Sequence, residues 1–210
     1  MVEFKGALFD LDGVIVDTAK YHYLAWKRLA ESLGFEFSAE RNERLKGVSR
    51  RRSLEILLEI GGLSFSEREM LELTERKNAW YVEYLLKLDS GALLPGSREY
   101  LEALRSRGAR VALASASKNA RLILDRCGIA GLFDAIVDGN AVSRAKPDPE
   151  AFLKGAEALS LPAAECAVFE DSLAGIEAAK AAGMAAVAVG RPENLPGADL
   201  YIANLAEMLI

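Results

Sequence analysis

The chain has 210 residues, and 26 lysines and arginines against 31 aspartates and glutamates give it a formal net charge of −5. This acidic balance argues against nucleic-acid binding, and no run of roughly 20 apolar residues predicts a membrane span. Hydrophobic residues make up 51%, which is typical of a globular protein with a buried core. Cys127 and Cys166 indicate buried thiols in a reducing compartment, and the N-terminus has no signal-peptide layout. We therefore expect a cytoplasmic protein, and a monomer.

The N-terminal half begins with one strand and then becomes helical. An apolar run at 5–9 predicts a buried strand, and apolar residues at helical spacing predict a helix over 18–33. Residues 39–88 have a helical pattern with breaks at Gly47 and at 61–62, and no convincing strand. This region is therefore expected to consist of helices alone.

After Pro95-Gly96 the pattern alternates between helices and strands. Strands are predicted at 110–114, 135–137, 166–169, 185–189 and 201–202, and helices at 97–107, 118–127, 149–159 and 173–182. Such alternation is typical of a doubly wound parallel α/β sheet, a Rossmann-like core. The helical block interrupts this pattern, which predicts a helical cap domain (15–94) inserted into an α/β core domain (1–14 and 95–210).

Polar side chains follow the predicted strands, at the edge where functional groups of such sheets gather. They are Asp10 and Asp12 after the first strand, Ser115, Ser117, Lys118 and Asn119 after the second, Lys146 beyond the third, and Glu170 with Asp171 after the fourth. Taken singly, these segments are typical of an Asp-Gly turn, a Lys-Pro loop and a helix N-cap. Their occurrence in this order, each after a strand, favours a functional site.

Four carboxylates at one sheet edge predict a bound cation. Asp10 and Asp12 are two residues apart, and in a strand such residues point to the same face, where two carboxylates repel each other. One carboxylate is then suited to be a nucleophile or metal ligand and the other a general acid/base. Oxygen ligands suit Mg²⁺, and Lys146 balances the remaining charge. Ser115 and backbone N–H groups at the helix start near Lys118 are suited to hold a phosphate.

The segments FDLDGV, ASAS, Lys146-Pro147 and EDS resemble the four signature motifs of the haloacid dehalogenase superfamily of phosphotransferases, and the resemblance covers essentially the whole chain. It implies that Asp10 is the nucleophile that forms an aspartyl-phosphate and that Asp12 is the general acid/base. It also implies one Mg²⁺ held by the Asp10 side chain, the Asp12 backbone carbonyl and Asp171, with Glu170 alongside.

The same resemblance implies two roles around the transferring phosphoryl group: Ser115 binds it and Lys146 neutralises its charge. The segments DGVIVDTAKYHYLAW, LKGVSR and ALASASKN are similar to a subgroup of the superfamily, the β-phosphoglucomutases. In that subgroup a cap histidine, here His22, helps to position the general acid/base. The other residues implied near the sugar or its phosphates are Lys46, Gly47, Arg50, Trp26, Ser53, Ser117, Lys118 and Asn119, among which Arg50 holds the phosphate that is not being transferred.

The subgroup resemblance implies a mutase that interconverts β-D-glucose 1-phosphate and glucose 6-phosphate, with β-glucose 1,6-bisphosphate as intermediate and activator. The alternative is a sugar-phosphate or phosphoglycolate phosphatase with the same core, for which the KPDPE loop is equally common. Val16 departs from the threonine expected in many close relatives. His22 is also consistent with a histidine packed in the cap. As the only histidine, it is expected to account for any group that titrates near pH 6 to 7.

Overall fold

The structure is a computed structural model that describes residues 3–45 and 49–210. The chain divides into two compact units, Met1–Asp17 with Leu88–Ile210 and Thr18–Lys87, which we call the core unit and the cap unit. The predicted domain bounds at 14/15 and 94/95 differ from these junctions by a few residues, and they stay a prediction. Among the described residues, no helix combines the length and the apolar character that crossing a membrane requires.

The core unit contains a six-stranded sheet with the spatial order β3–β2–β1–β4–β5–β6. The strands are β1 (Gly6–Phe9), β2 (Arg110–Ala114), β3 (Ala135–Val137), β4 (Cys166–Glu170), β5 (Ala185–Val189) and β6 (Leu200–Ile202). Every neighbouring pair is parallel. The chain winds from β1 out to β3 on one side and from β4 out to β6 on the other. The predicted doubly wound α/β fold is confirmed, with its switch point between β1 and β4.

The described residues form eight α-helices. They are α1 (Ala19–Ser32), α2 (Ala39–Asn42), α3 (Arg50–Gly61) and α4 (Glu67–Leu85) in the cap unit, and α5 (Ser97–Ser106), α6 (Ala120–Arg126), α7 (Glu150–Ala158) and α8 (Leu173–Ala181) in the core unit. Ser49 caps α3 and Ser66 caps α4, where Glu69 completes a capping box. Local side-chain chemistry therefore sets where α3 and α4 begin.

Helix α6 is shorter than the sequence predicts. It begins at Ala120 rather than at Lys118, because the preceding residues form successive turns closed by serine hydroxyls. Ser115 Oγ accepts the N–H of Ser117 at 3.1 Å, and Ser117 Oγ accepts the N–H of Asn119 at 3.3 Å. Lys118 thus lies in a turn rather than at the start of a helix, and the predicted helix N-terminus at that residue is wrong.

Side chains of each strand alternate between the two faces of the sheet, and consecutive residues of β1 and β4 are all buried, so both faces are covered. On one face Phe9 and Phe169 stack with ring centres 4.6 Å apart, and Tyr100 contacts both rings edge-on. On the other face Leu8 and Val168 pack against α7 and α8 in a separate apolar cluster. Cys127 and Cys166 are free and buried, as the sequence predicts.

Replacement of Phe169 by alanine tests the aromatic face. The side chain is fully buried, so we expect the free energy of unfolding to fall by about 3–5 kcal/mol in a urea titration. Leu153 on α7 is 45% exposed and serves as the control, for which the loss in Leu153→Ala is expected to stay below about 1 kcal/mol. Equal losses in the two variants would contradict the assignment of Phe169 to the core.

Candidate active site at the switch point of the sheet

The pairing of β1 with β4 brings two acidic side chains together. Phe9 and Phe169 are register partners, and Asp10 and Glu170 follow them directly in the chain. The Asp10 N–H donates to the Phe169 carbonyl oxygen at 3.0 Å, which continues the ladder past the end of β1. Asp10 is 8% exposed and Glu170 is 1% exposed. The predicted convergence of these groups at the carboxyl edge of the sheet is therefore present.

Lys146 lies between these two carboxylates. Its Nζ donates to Asp10 Oδ1 at 2.5 Å and to Glu170 Oε2 at 2.6 Å, and it lies 4.8 Å from the centre of the Phe152 ring. Burial lowers the pKa of Lys146, but the two carboxylates raise it by a larger amount, so the net shift is upward. The buried ammonium group therefore stays charged and compensates part of the negative charge of the site.

The acidic cluster retains an excess of negative charge. Oxygens of Asp10, Glu170 and Asp171 all lie within 4.8 Å of one another. Burial and repulsion by neighbouring carboxylates raise the pKa of Asp10 to about 7 and that of Asp171 to about 8. These raised pKa values mean that the cluster holds more negative charge than its surroundings compensate. A divalent metal ion would supply the missing positive charge, and carboxylate oxygens are suitable ligands for it. A divalent metal is also what the resemblance of the motifs implies.

The turn after β1 differs from the strand geometry expected for Asp10 and Asp12. The strand ends at Phe9, so the argument that the two carboxylates share one strand face is wrong. Instead the chain turns, and the Asp12 N–H donates to Asp10 Oδ2 at 3.0 Å. Gly13 has φ +82°, and a Cβ there would lie 2.0 Å from Asp171 Oδ2. Glycine is therefore required for the turn to approach Asp171.

The loop after β2 offers hydroxyl groups to a ligand. Ser115 is 1% exposed and its Oγ accepts a backbone N–H. A hydroxyl that accepts one bond still has its own O–H to donate, which suits a phosphoryl oxygen. Gly139 packs against this loop so closely that a Cβ would lie 2.1 Å from the carbonyl oxygen of Ala116. The backbone between β3 and α7 thus fixes the shape of the loop that carries Ser115, Ser117, Lys118 and Asn119.

Glu170 is held by the start of α8. Its Oε1 accepts the N–H of Ser172 at 3.1 Å and the Ser172 hydroxyl at 2.7 Å, while Ser172 Oγ caps the helix through the N–H of Gly175. A Cβ on Gly175 would lie 2.0 Å from the Glu170 carboxyl carbon. Both interpretations of this segment thus hold, since it is a helix N-cap and also part of the acidic site. Sequence reasoning missed Gly175, whose signal is a glycine in the first turn of a helix.

In the cap unit, His22 lies in a buried cluster that contains a lysine. Its Nδ1 is 3.0 Å from Lys77 Nζ, and its ring stacks on Tyr81 with centres 4.1 Å apart. Lys77 is 2% exposed, and its Nζ lies 4.6 Å from the ring centres of both Trp26 and Tyr81. Because an ammonium group only donates, Nδ1 is the acceptor and the ring proton is on Nε2. His22 thus carries a donor at Nε2 for another group.

Sequence reasoning missed Lys77 and Tyr81, the two residues that α4 contributes to this cluster. The buried positions of α4 are Met70, Leu73, Lys77, Tyr81 and Leu85. Their spacing of three and four residues is that of a helix face directed to the interior. A lysine within such a face is the signal that could have identified it, because a charge is buried there only when other groups compensate it.

The surroundings of His22 argue against the expected titration near pH 6 to 7, because they lower its pKa. Burial lowers it first, and the Lys77 and Arg50 cations lower it further, so that it lies well below its ordinary value. The imidazole is therefore neutral throughout the physiological range. Arg50 itself is half-buried at the start of α3, and burial lowers the pKa of its guanidinium group.

The remaining cap residues of the predicted site are distributed as follows. Trp26 and Ser53 are 3% and 4% exposed, on α1 and α3 of the cap unit. Trp26 belongs to the apolar cluster of that unit, and its contact with a sugar stays a prediction. Lys46 and Gly47 lie outside the described residues.

Residues 4–183 match the family model of the haloacid dehalogenase-like hydrolases. The matched segment contains every residue of the predicted site, from Asp10 to Asp171. The chain therefore belongs to the haloacid dehalogenase-like hydrolase family, as its four motifs predict. This is a family of enzymes, and the matched range contains the acidic cluster at the switch point.

Individual relatives show which members of the family this chain resembles. The Bacillus subtilis (strain 168) protein named beta-phosphoglucomutase is 45% identical over 208 residues, which cover 98% of this chain and 92% of the relative. A crystal structure of beta-phosphoglucomutase from Clostridium difficile matches with a TM-score of 0.91 at 41% identity, covering 98% and 93% of the two chains. The Thermotoga maritima protein named phosphorylated carbohydrates phosphatase is 34% identical over 182 residues, covering 86% and 82%. The predicted resemblance to the β-phosphoglucomutase subgroup is confirmed.

The protonation of His22 is directly measurable, because a chain with one histidine gives one imidazole Hε1 signal in proton NMR. We expect no inflection of this signal between pH 6 and 8, since burial disfavours the charged imidazole and the Lys77 ammonium opposes a second positive charge. In Lys77→Met the pKa should rise toward the ordinary value of about 6.5. Lys87→Met, the same change at an exposed position of the cap unit, should leave the titration as it is. An inflection near pH 6.5 in the unmodified protein would contradict the Lys77–His22 pairing.

Proposed function

We propose that this chain is a Mg²⁺-dependent phosphomutase that interconverts β-D-glucose 1-phosphate and glucose 6-phosphate, with β-glucose 1,6-bisphosphate as intermediate and activator. The observation that carries the chemistry is the buried Asp10 carboxylate, held by Lys146 on one oxygen and by the Asp12 N–H on the other. The sugar is inferred from the similarity to the named mutases along nearly the whole chain. We further propose that the enzyme acts as a cytoplasmic monomer.

Phosphoryl transfer begins at Asp10. Each of its oxygens accepts one hydrogen bond and keeps a further lone pair, so the carboxylate is oriented and still able to attack phosphorus. A bond forms between an Asp10 oxygen and phosphorus while the bond from phosphorus to the donor oxygen breaks. Asp12 gives a proton to the leaving oxygen, and it takes one from the sugar hydroxyl when the phosphoryl group is passed on.

The proposed metal ligands are Asp10, Glu170 and Asp171, together with the backbone carbonyl of Asp12. When bound, Mg²⁺ would stabilise charge that develops on the phosphoryl oxygens. Lys146 compensates the charge of Asp10 and Glu170 from the other side. The Ser115 hydroxyl donates a hydrogen bond to an oxygen of the transferring phosphoryl group. The other proposed phosphate-binding residues of the same loop are Ser117, Lys118 and Asn119.

A mutase also needs groups for the phosphate that is not being transferred. We assign this role to Arg50, whose guanidinium forms paired hydrogen bonds with phosphate oxygens. His22 offers its Nε2–H as a donor that helps to position the general acid/base. Trp26, Ser53, Lys46 and Gly47 remain predicted sugar-binding residues.

The second candidate function is a sugar-phosphate phosphatase, which the 34% identity to the Thermotoga maritima phosphatase favours. Such an enzyme transfers the phosphoryl group of Asp10 to water and needs only one phosphate site. Val16, which is buried beside the turn that carries Asp12, is where the chain departs from the mutase pattern. The two candidates differ in the product, since only the phosphatase releases free phosphate from β-glucose 1-phosphate in every cycle.

The variant Asp10→Asn tests the nucleophile. It keeps the shape of the side chain but removes the anion, so turnover should fall by roughly four orders of magnitude or more, as for other covalent nucleophiles. The measurements are the steady-state rate and mass-spectrometric detection of the phosphorylated enzyme. Asp125→Asn, the same change at an exposed position of α6, is the control and should keep full activity. If Asp10→Asn retained a tenth of the original turnover, another group would be the nucleophile.

The variant Arg50→Ala separates mutase from phosphatase. Loss of a charge-assisted pair costs about 1.5–3 kcal/mol, so conversion of β-glucose 1-phosphate to glucose 6-phosphate should slow by about 10- to 150-fold. Phosphorylation of Asp10 by acetyl phosphate, which has no second phosphate, should be unchanged. Arg50→Lys should restore little, because a point charge lacks the planar fork.

The control for Arg50 is Arg68→Ala, whose side chain on α4 is 90% exposed and should not affect either reaction. Free phosphate is measured in parallel with glucose 6-phosphate. Full mutase activity in Arg50→Ala would remove Arg50 from the proposed role. Release of one phosphate per β-glucose 1-phosphate consumed by the unmodified protein would establish the phosphatase instead.

A further inference from the structure

The loop that carries Lys146 is fastened at its base by one carboxylate. Glu150 accepts the backbone N–H of Ser143 at 3.1 Å, the Ser143 hydroxyl at 2.9 Å and the backbone N–H of Arg144 at 2.7 Å. These three donors precede Lys146 in the chain, whereas Glu150 follows it. The carboxylate therefore closes the loop on itself from both sides of Lys146.

A second lysine holds this carboxylate in place. Lys154, one helical turn further along α7, donates to Glu150 Oε1 and to the carbonyl oxygen of Ala141, both at 2.6 Å. The Lys154 bond and the donors of the loop hold the pKa of Glu150 at about 2. Glu150 is 8% exposed, and a carboxylate with this pKa is ionised at physiological pH, so it remains an acceptor for the donors of the loop.

The same helix also supplies the ring against which Lys146 packs. Phe152 lies two residues after Glu150 on α7, is fully buried, and faces the Lys146 ammonium at 4.8 Å. Asp148 accepts the N–H of Glu150 at 3.0 Å, which joins the C-terminal end of the loop to the helix. The first turn of α7 thus binds both ends of the loop, and it also supplies the aromatic ring that contacts Lys146.

We propose that Glu150 is a positioning residue, whose carboxylate shapes the 143–149 loop so that Lys146 Nζ lies between Asp10 and Glu170. The proposal rests on the proposed charge-balancing role of Lys146. A merely stabilising role for Glu150 would lower the amount of folded protein without changing the surroundings of Lys146. The two roles therefore predict different responses of the Lys146 side chain.

The first arm of the test observes Lys146 directly. With ¹³Cε-labelled lysine, the Lys146 signal is assigned by its loss in Lys146→Arg, and the Phe152 ring should shift its protons upfield. In Glu150→Gln, which keeps the size but loses the charge, this signal should move toward the position of exposed lysines. Glu157→Gln, the same change at an exposed position of α7, should leave it in place. An unmoved Lys146 signal in folded Glu150→Gln would overturn the proposal.

The second arm measures whether Glu150 acts through Lys146. Hydrolysis of p-nitrophenyl phosphate needs Asp10 but no sugar, so its result is independent of whether the natural substrate is a glucose phosphate. As a single substitution, Glu150→Gln should lower kcat by about 10- to 100-fold. Added to a protein that already carries Lys146→Ala, it should lower kcat by less than about twofold. Equal factors in both backgrounds would mean a structural role only and would overturn the proposal.

Two features keep the test decisive. If Glu150→Gln does not fold, Lys154→Met removes the partner of the carboxylate and leaves the carboxylate itself, so a smaller change in the same direction is expected. The NMR arm requires no turnover, and it decides the question alone if the aryl phosphate is not hydrolysed. An unchanged Lys146 signal in Lys154→Met together with unchanged kcat would count against Glu150 as a positioning residue.

Discussion

The parallel register between β1 and β4 is the constraint on which the site depends. It sets Phe9 beside Phe169, so the next residues, Asp10 and Glu170, must be neighbours at a buried edge of the sheet. Two carboxylates so placed repel each other, and Lys146 offsets this by donating to both. The long loop after β3 and the start of α7 are then needed to bring a lysine to that point. The fold thus positions both the two buried carboxylates and the ammonium group that compensates their charge.

The two units have opposite electrostatic character around their candidate functional groups. In the core unit, the carboxylates of the acidic cluster outnumber Lys146, and burial together with their mutual repulsion raises the pKa values of Asp10 and Asp171. In the cap unit, Lys77 and Arg50 surround a neutral His22 with positive charge. An acidic cluster suits a metal ion, and a cationic cluster suits a phosphate.

Several sequence expectations failed where side chains compete with regular structure. Asp10 and Asp12 were expected on one strand face, but the ladder ends at Phe9 and Asp12 instead bonds Asp10 through its N–H. In the same way, the serine hydroxyls after β2 delay the start of α6. The expectation that His22 titrates near pH 6 to 7 leaves out its burial and Lys77, which lies 55 residues away in the chain and also lowers the pKa of the imidazole. The helical spacing of α4 signals that Lys77 is buried, but not that it lies against His22.

The sequence by itself determined the order of strands and helices, the family, and the acidic and basic residues that follow each strand. These properties are local, because hydrophobic periodicity and short motifs are written in neighbouring residues. Only the tertiary structure decided that Lys146 contacts both Asp10 and Glu170, that Gly13 and Gly175 leave room for carboxylates, and that Glu150 closes the lysine loop. The physical reason is that packing distances and buried charge depend on contacts between residues far apart in the chain, which no single segment specifies.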